Sequence, residues 1–188
     1  MSRAFPQLDE GTEAAVLAGV RRGGEGRATA FELLFRALRL PVLELCLHVA
    51  GRRSDAEDGL QETFLAVYRA LPAFRGESGL STWVFRIALR AALQLRARRH
   101  DHAVVDSETP SPGDGEATLV AREEARRVQA ALGELSAEHR SVLALFAMEG
   151  LGHAAIAEIL GVPEGTVWSR LHVARSRLRE ILGRPTSR

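Results

Sequence analysis

The chain has 188 residues, 46% of them hydrophobic and 26% charged, with a formal net charge of +1. That suits one large domain or two small ones, with a real core and a soluble surface. No stretch approaches the roughly 20 apolar residues needed to cross a bilayer and no signal-peptide core opens the sequence, so no membrane insertion is expected and the chain is expected to be cytoplasmic.

Aromatic residues are few, β-branched runs are scarce, and Ala, Leu, Arg and Glu abound, which predicts an all-α protein. Residues 1–10 read as a frayed end. A first helix is expected from about Thr12 to Val20, then a glycine-rich break at Gly23-Gly24-Glu25-Gly26. A second runs from about Ala28 to Arg39 and, past a disturbance at Pro41, on to Ala50. Cys46, the single cysteine, lies in the apolar run 42–49 and reads as a buried small hydrophobe; no disulfide is open to it. Ser54 or Asp55 can cap a third helix that ends before Pro72, with Glu57 and Asp58 favoured in its first turn by the helix dipole. Residues 74–81 form a loop with Gly76 and Gly79. A helix follows from Thr82 to about Arg99, with Trp83, Ile87, Ala91 and Leu95 on one face.

Residues 101–116 hold two prolines, two glycines and several acids, a linker composition that places a domain boundary there. The expected organisation is thus two helical domains, 1–100 and 117–188, joined by a flexible linker. Helices are predicted at about 117–133, 136–149, 153–160 and 163–182, with Ser136 a partial cap. The last two carry the most information. Ile156, Ile159 and Leu160 recur at helical spacing, Gly161 breaks the helix, and Pro163 suits the first turn of the next. Val167, Leu171, Ala174 and Leu178 form an inner face, while Ser169, Arg170, His172, Arg175, Arg177 and Arg179 lie on the others. This is a helix-turn-helix, a shape that places its second helix in a DNA major groove. All 25 basic residues are arginine. Two basic stretches, 84–100 and 165–188, flank an acidic connector, which fits a two-handed grip on nucleic acid.

Three segments occur in order: DAEDGLQETFLAVYRALPAF (55–74), FRGESGLSTWVFRIALRAALQLRARR (74–99) and LSAEHRSVLALFAMEGLGHAAIAEILGVPEGTVWSRLHVARSRLREIL (135–182). Together they resemble the extracytoplasmic-function (ECF) sigma factors, the promoter-recognition subunits of bacterial RNA polymerase, over about 130 residues. On the first segment Asp55, Asp58 and Glu62 share an acidic face, with Gln61 and Leu65 beside them. The resemblance implies that this face docks on the clamp coiled coil of the large subunit of the polymerase core. It implies that the loop before Thr82 traps a flipped base of the −10 element while the helix holds the non-template strand. Opening a duplex needs a pocket with polar edges and an apolar wall; Arg75, Ser78, Leu80, Ser81 and Trp83 are the candidates, and Arg86 and Arg90, with the Arg96–Arg99 group, suit phosphates. The second domain would read the −35 element through Thr166, Trp168, Ser169, Arg170, His172, Val173 and Arg175, with Arg170 and Arg175 foremost. An anti-sigma factor is a further candidate partner.

The chain departs from the family pattern at several positions. Leu89-Arg90 and Gln94 stand where an Arg-Asn pair and an aspartate are usual, Leu80 where a bulky aromatic is usual, and Trp168 and Val173 where basic residues are usual. Neither indole nor valine makes the bidentate guanine contact of arginine, at about 1–3 kcal/mol of discrimination each, so −35 readout would lean on thymine methyls. A sigma-like competitor that binds polymerase without initiating efficiently, or a plain helix-turn-helix regulator, are the alternatives. A simple regulator needs neither the acidic helix nor the base-trapping loop. A metal-dependent enzyme built on Asp55, Glu57, Asp58 and Glu62 is disfavoured because those positions splay around the helix and no histidine completes them. No catalytic residue, metal or cofactor is therefore expected.

Overall fold

The computed structural model describes residues 8–102, 119–148 and 151–183, and among these all regular structure is helical, with no strand. Helix α1 spans Glu10–Arg22; its cap is Asp9, whose carboxylate accepts from the Thr12 amide at 2.9 Å. The Thr12 hydroxyl and amide together hold the Asp9 carboxyl below the ordinary range. The expected fraying of residues 1–10 therefore fails at its inner edge: Asp9 caps, and Leu8 is buried.

Helix α2, Gly24–Ala50, runs unbroken through Pro41. A proline inside a helix costs about 3 kcal/mol. Leu34, Leu38, Val42, Leu45 and Val49, all essentially inaccessible, each return roughly 1.5–3 kcal/mol on burial, so the core carries the helix past the defect. The glycine-rich break shrinks to Gly23 and Gly24, both at positive φ. Gly26 already lies in α2 because α1 crosses there: a Cβ on Gly19 would meet the Gly26 carbonyl oxygen at 2.6 Å.

Helix α3, Arg53–Ala70, begins slightly before the predicted cap, with Arg52 in extended conformation at its head and no side chain capping it. A 3-10 turn, Leu71–Ala73, ends it around Pro72. Helix α4, Leu80–His102, starts two residues sooner than its sequence suggests and takes in residues 101 and 102 of the expected linker. The linker's remaining residues, 103–116, lie outside the described residues. Helices α5 (Leu119–Gly133), α6 (Ala137–Ala147), α7 (His153–Leu160) and α8 (Glu164–Gly183) complete the chain. Ser136 does cap α6, its hydroxyl accepting from the His139 amide at 3.3 Å.

α1, α3 and α4 pack around α2, and α5, α6 and α7 pack around α8. The two groups meet where α2 touches α6 and α4 touches α7, and one buried cluster runs from Leu8 to Ala174. Two arginines tie off helix ends near this junction. Arg96 donates to the carbonyls of Val49 and Ala50 at 3.3 and 3.1 Å, at the C-terminus of α2. Arg140 donates to those of Leu132, Gly133 and Leu135 at 2.9, 3.0 and 2.6 Å, at the C-terminus of α5. A cation at that end satisfies orphan carbonyls and opposes the negative pole of the dipole. Burial and the neighbouring Arg96 push Arg140 down to about 10, so it stays charged at neutral pH. Arg96, assigned from sequence to the phosphate-facing group, spends its guanidinium inside the fold.

Candidate nucleic-acid interface

The acidic face of α3 forms as its spacing predicts. Ala56, Gly59, Thr63, Phe64 and Val67 are buried against α2 and α4. Gly59 lets α2 come close, since a Cβ there would sit 3.1 Å from the Cys46 sulfur. Burial pushes the Cys46 thiol up to about 12, against the smaller opposing effect of a hydrogen bond with Thr63, so it remains a neutral thiol, as its sequence context suggests. On the outer side Asp58 and Gln61 are exposed, Asp55 is half-buried, and Leu65 keeps 48% of its surface in water. Glu62 pairs with Arg98 of α4 at 3.2 Å, an exposed pair worth about 0–1 kcal/mol that a partner's cation can displace. Tyr68, absent from the sequence-based selection, extends this face. It is 42% exposed, and the Arg27 guanidinium lies 4.4 Å from its ring centroid while donating to its carbonyl at 2.6 Å. An acidic helix with an exposed Leu65 and Tyr68 suits a basic helix that also carries apolar side chains.

The loop 74–79 and the start of α4 divide the residues selected from sequence. Arg75 is exposed and Ser78 half-exposed at the loop tip, which turns through Gly76 at φ 76°. Leu80 and Ser81 go inward instead: Leu80 is fully buried, and the Ser81 hydroxyl accepts from the Leu8 amide at 3.0 Å. A residue buried in the core offers no edge to a base, so the surface of this loop is built without these two. Trp83 is half-buried with its ring 5.1 Å from that of Phe74, so its core packing and its place beside the loop coexist. Arg90 is exposed. Arg86 donates through Nε and Nη2 to the Glu158 carbonyl at 3.1 and 2.7 Å, across the contact between α4 and the C-terminus of α7.

The helix-turn-helix forms as the sequence predicts. α7 ends at Gly161 in the left-handed region, where the Val162 amide donates to the Ala157 carbonyl at 3.1 Å and the Gly161 amide to that of Glu158 at 3.2 Å. This is the glycine-closed C-cap that a tight turn requires. Val167, Leu171 and Ala174 hold α8 to the domain. Of the selected residues, Trp168, Ser169, His172, Val173 and Arg175 are exposed, and Thr166 and Arg170 are half-buried. Arg170 meets Glu138 at 3.2 Å, and the Ser169 hydroxyl donates to the Thr166 carbonyl at 3.0 Å. Trp168 lies flat on His153, ring centroids 3.9 Å apart and planes 10° from parallel, with 58% of its surface still exposed. His153 tilts against Phe146 at 5.9 Å, and Arg175 sits 4.4 Å over the Phe146 ring. The result is a ladder of rings along one flank of α8, with one face of the indole open to solvent. Nothing in the sequence marks His153 and Phe146 as its other rungs, because they meet only where α6 packs on α7.

Comparison with known proteins accounts for both halves of this arrangement. The family models for Sigma-70 region 2 and Sigma-70 region 4 match residues 34–102 and 125–178. The chain is 35% identical over 158 residues to the ECF RNA polymerase sigma factor SigM of Mycobacterium tuberculosis, covering 84% of this chain and 80% of the relative. It is 33% identical over 181 residues to the RNA polymerase sigma-H factor of Pseudomonas aeruginosa, covering 87% and 91%. Among solved structures, CnrH in complex with the cytosolic domain of CnrY shares the fold at TM-score 0.67 and 24% identity, over 91% of this chain and 97% of that one. With two sigma-70 regions in order, and relatives of this identity and coverage, the chain belongs to the ECF family of RNA polymerase sigma factors.

Proposed function

We propose that this chain directs promoter-specific initiation by bacterial RNA polymerase, with α3 as its polymerase-docking helix and two separate surfaces for promoter DNA. Asp58, Gln61, Glu62 and Leu65, continued by Tyr68, meet the clamp coiled coil of the large subunit, and Asp55 supports them from the half-buried edge. Arg75, Ser78, Trp83 and Arg90 form the −10 surface, which Arg86 joins when it leaves Glu158. Thr166, Trp168, Ser169, Arg170, His172, Val173 and Arg175 form the −35 surface. The chain supplies no catalytic group; nucleotidyl transfer belongs to the polymerase core, and the chain acts in the cytoplasm beside it. The observation that carries this reading is the pairing, in one chain, of a helix-turn-helix with an outward acidic helix that a simple DNA-binding regulator does not need.

The relatives CnrH and the sigma factor RpoE of Bartonella quintana were solved in complex with CnrY and with the anti-sigma factor NepR. An anti-sigma factor is accordingly a candidate regulator of this chain too. An isolated helix-turn-helix with so few contacts binds DNA weakly at physiological salt, so choice of promoter comes from both domains acting on one polymerase.

Reconstituted transcription tests the reading: core polymerase with and without the chain on genomic DNA, transcripts mapped at their 5′ ends. New starts that share two upstream elements are expected. Core binding without starts would indicate a competitor, and neither would leave a helix-turn-helix regulator. Charge reversal at Asp58 and Glu62 is expected to abolish core binding while leaving DNA binding by α8 intact.

A further inference from the structure

We propose that α1 is a clamp on the 75–79 loop, with Glu13 as the positioning residue that sets the loop's geometry for the DNA strand. The inference rests on the reading of that loop as part of the −10 surface. Two hydrogen bonds carry it, each reaching far along the chain. Glu13 Oε1 accepts from the Leu80 amide at 2.9 Å, 67 residues away, and the Leu8 amide donates to Ser81 Oγ at 3.0 Å, 73 residues away. Both fall on the first two residues of α4, directly after the loop.

The first amides of a helix have no partner within it. At Leu80 the missing acceptor comes from another helix, so the start of α4 is fixed relative to α1. α1 is itself fixed: Asp9 caps it, Gly19 and Gly26 bring its backbone against α2, and it packs on the Leu71–Ala73 turn where the loop begins. At the loop's ends Phe74 packs on Trp83, and the Trp83 amide donates to the Gly79 carbonyl at 3.0 Å. The ends are pinned while Arg75, Gly76, Glu77 and Gly79 stay exposed at the tip. A loop ordered in advance loses less conformational freedom when it captures a strand.

The experiment uses the full chain bound to core polymerase and a non-template-strand oligonucleotide spanning the −10 element of a promoter mapped in the transcription experiment. Glu13→Ala is expected to weaken oligonucleotide binding about tenfold, with core affinity unchanged. Glu13→Gln keeps an oxygen acceptor at the same place and is expected to bind within about twofold of the parent. A Glu13→Ala protein that binds the strand normally, or a Glu13→Gln protein as weak as Glu13→Ala, overturns the clamp. Should Glu13→Ala not fold, Ser81→Ala removes the other pin and Ser81→Thr restores a hydroxyl; equal strand binding by these two likewise overturns it. The double variant Arg75→Ala, Ser78→Ala separates this failure from that of the underlying reading. If it binds the strand normally, the loop is not part of the −10 surface. If it binds weakly while Glu13→Ala does not, the loop reading stands and the clamp falls.

Discussion

The first turn of α4 and the exposed flank of α8 both face promoter DNA in the proposed function, yet they are held by different means. The start of α4 is tied inward, with Leu80 in the core and Ser81 and the Leu80 amide bonded to a segment some seventy residues away. The flank of α8 is braced by solvent-facing partners on the neighbouring helices α6 and α7: Arg170 on Glu138, Trp168 on His153, Arg175 over Phe146. Buried ties hold one geometry and are costly to lose. Exposed ion pairs are worth about 0–1 kcal/mol and exposed ring contacts of similar order, so they yield when a better partner arrives. A surface that must capture a base in one pose is served by the first arrangement. A surface that must settle against a groove is served by the second.

The sharpest test of that contrast is Leu80→Ala. Truncating this fully buried side chain is expected to cost about 2–5 kcal/mol, lowering the calorimetric melting midpoint by on the order of 10 °C. A shift of only a degree or two would place Leu80 at the surface and break the comparison. Next in size is Trp168→Arg, which exchanges an indole for a guanidinium able to engage guanine. Selection from random −35 sequences is expected to move toward guanine at one position, with about 1–3 kcal/mol of discrimination gained there and the melting midpoint nearly unchanged. Glu138→Gln, which releases Arg170 from an exposed partner, is expected to alter stability by less than about 1 kcal/mol in chemical denaturation. The smallest effect belongs to Val173→Ala, expected within about 0.5 kcal/mol of the parent in stability while relaxing preference for thymine at the step it faces. A large loss of stability in either of these last two would show α8's flank to be as firmly built as the start of α4.

The contrast also sets what could be read in advance. The helix-turn-helix was legible because its determinants are local: Ile156 and Ile159 set one face, Gly161 the turn, Val167, Leu171 and Ala174 the other face. The α3 face was legible for the same reason, since Asp55, Asp58 and Glu62 lie within two turns. The α1 clamp was not, because no spacing rule links Glu13 to Leu80 or Leu8 to Ser81; that pairing exists only after α1 has folded across α2. Leu80 and Ser81 looked like loop residues because the start of α4 carries no cap signal of its own, its acceptor being supplied from α1. Arg96 looked like a phosphate ligand because a run of arginines does not say which member turns inward to the carbonyls of Val49 and Ala50. Pro41 suggested a disturbance that five buried side chains of α2 override.

The bond from Arg86 to the carbonyl of Glu158 has a thermodynamic consequence beyond its own strength. A guanidinium occupied at the end of α7 is withheld from a phosphate, and the same contact keeps α4 and the helix-turn-helix side by side. Promoter elements named −10 and −35 are separated by about 25 base pairs, or roughly 85 Å of duplex at 3.4 Å per step, a distance no pair of touching helices can bridge. Under the proposed function, only molecules in which this contact has parted would hold both elements. Each 1.4 kcal/mol by which it is favoured lowers that competent fraction, and with it the apparent affinity for an intact promoter, by about tenfold. Under the proposed function, the affinity of either domain for its own half of the promoter therefore understates how selective the whole chain is about when it engages.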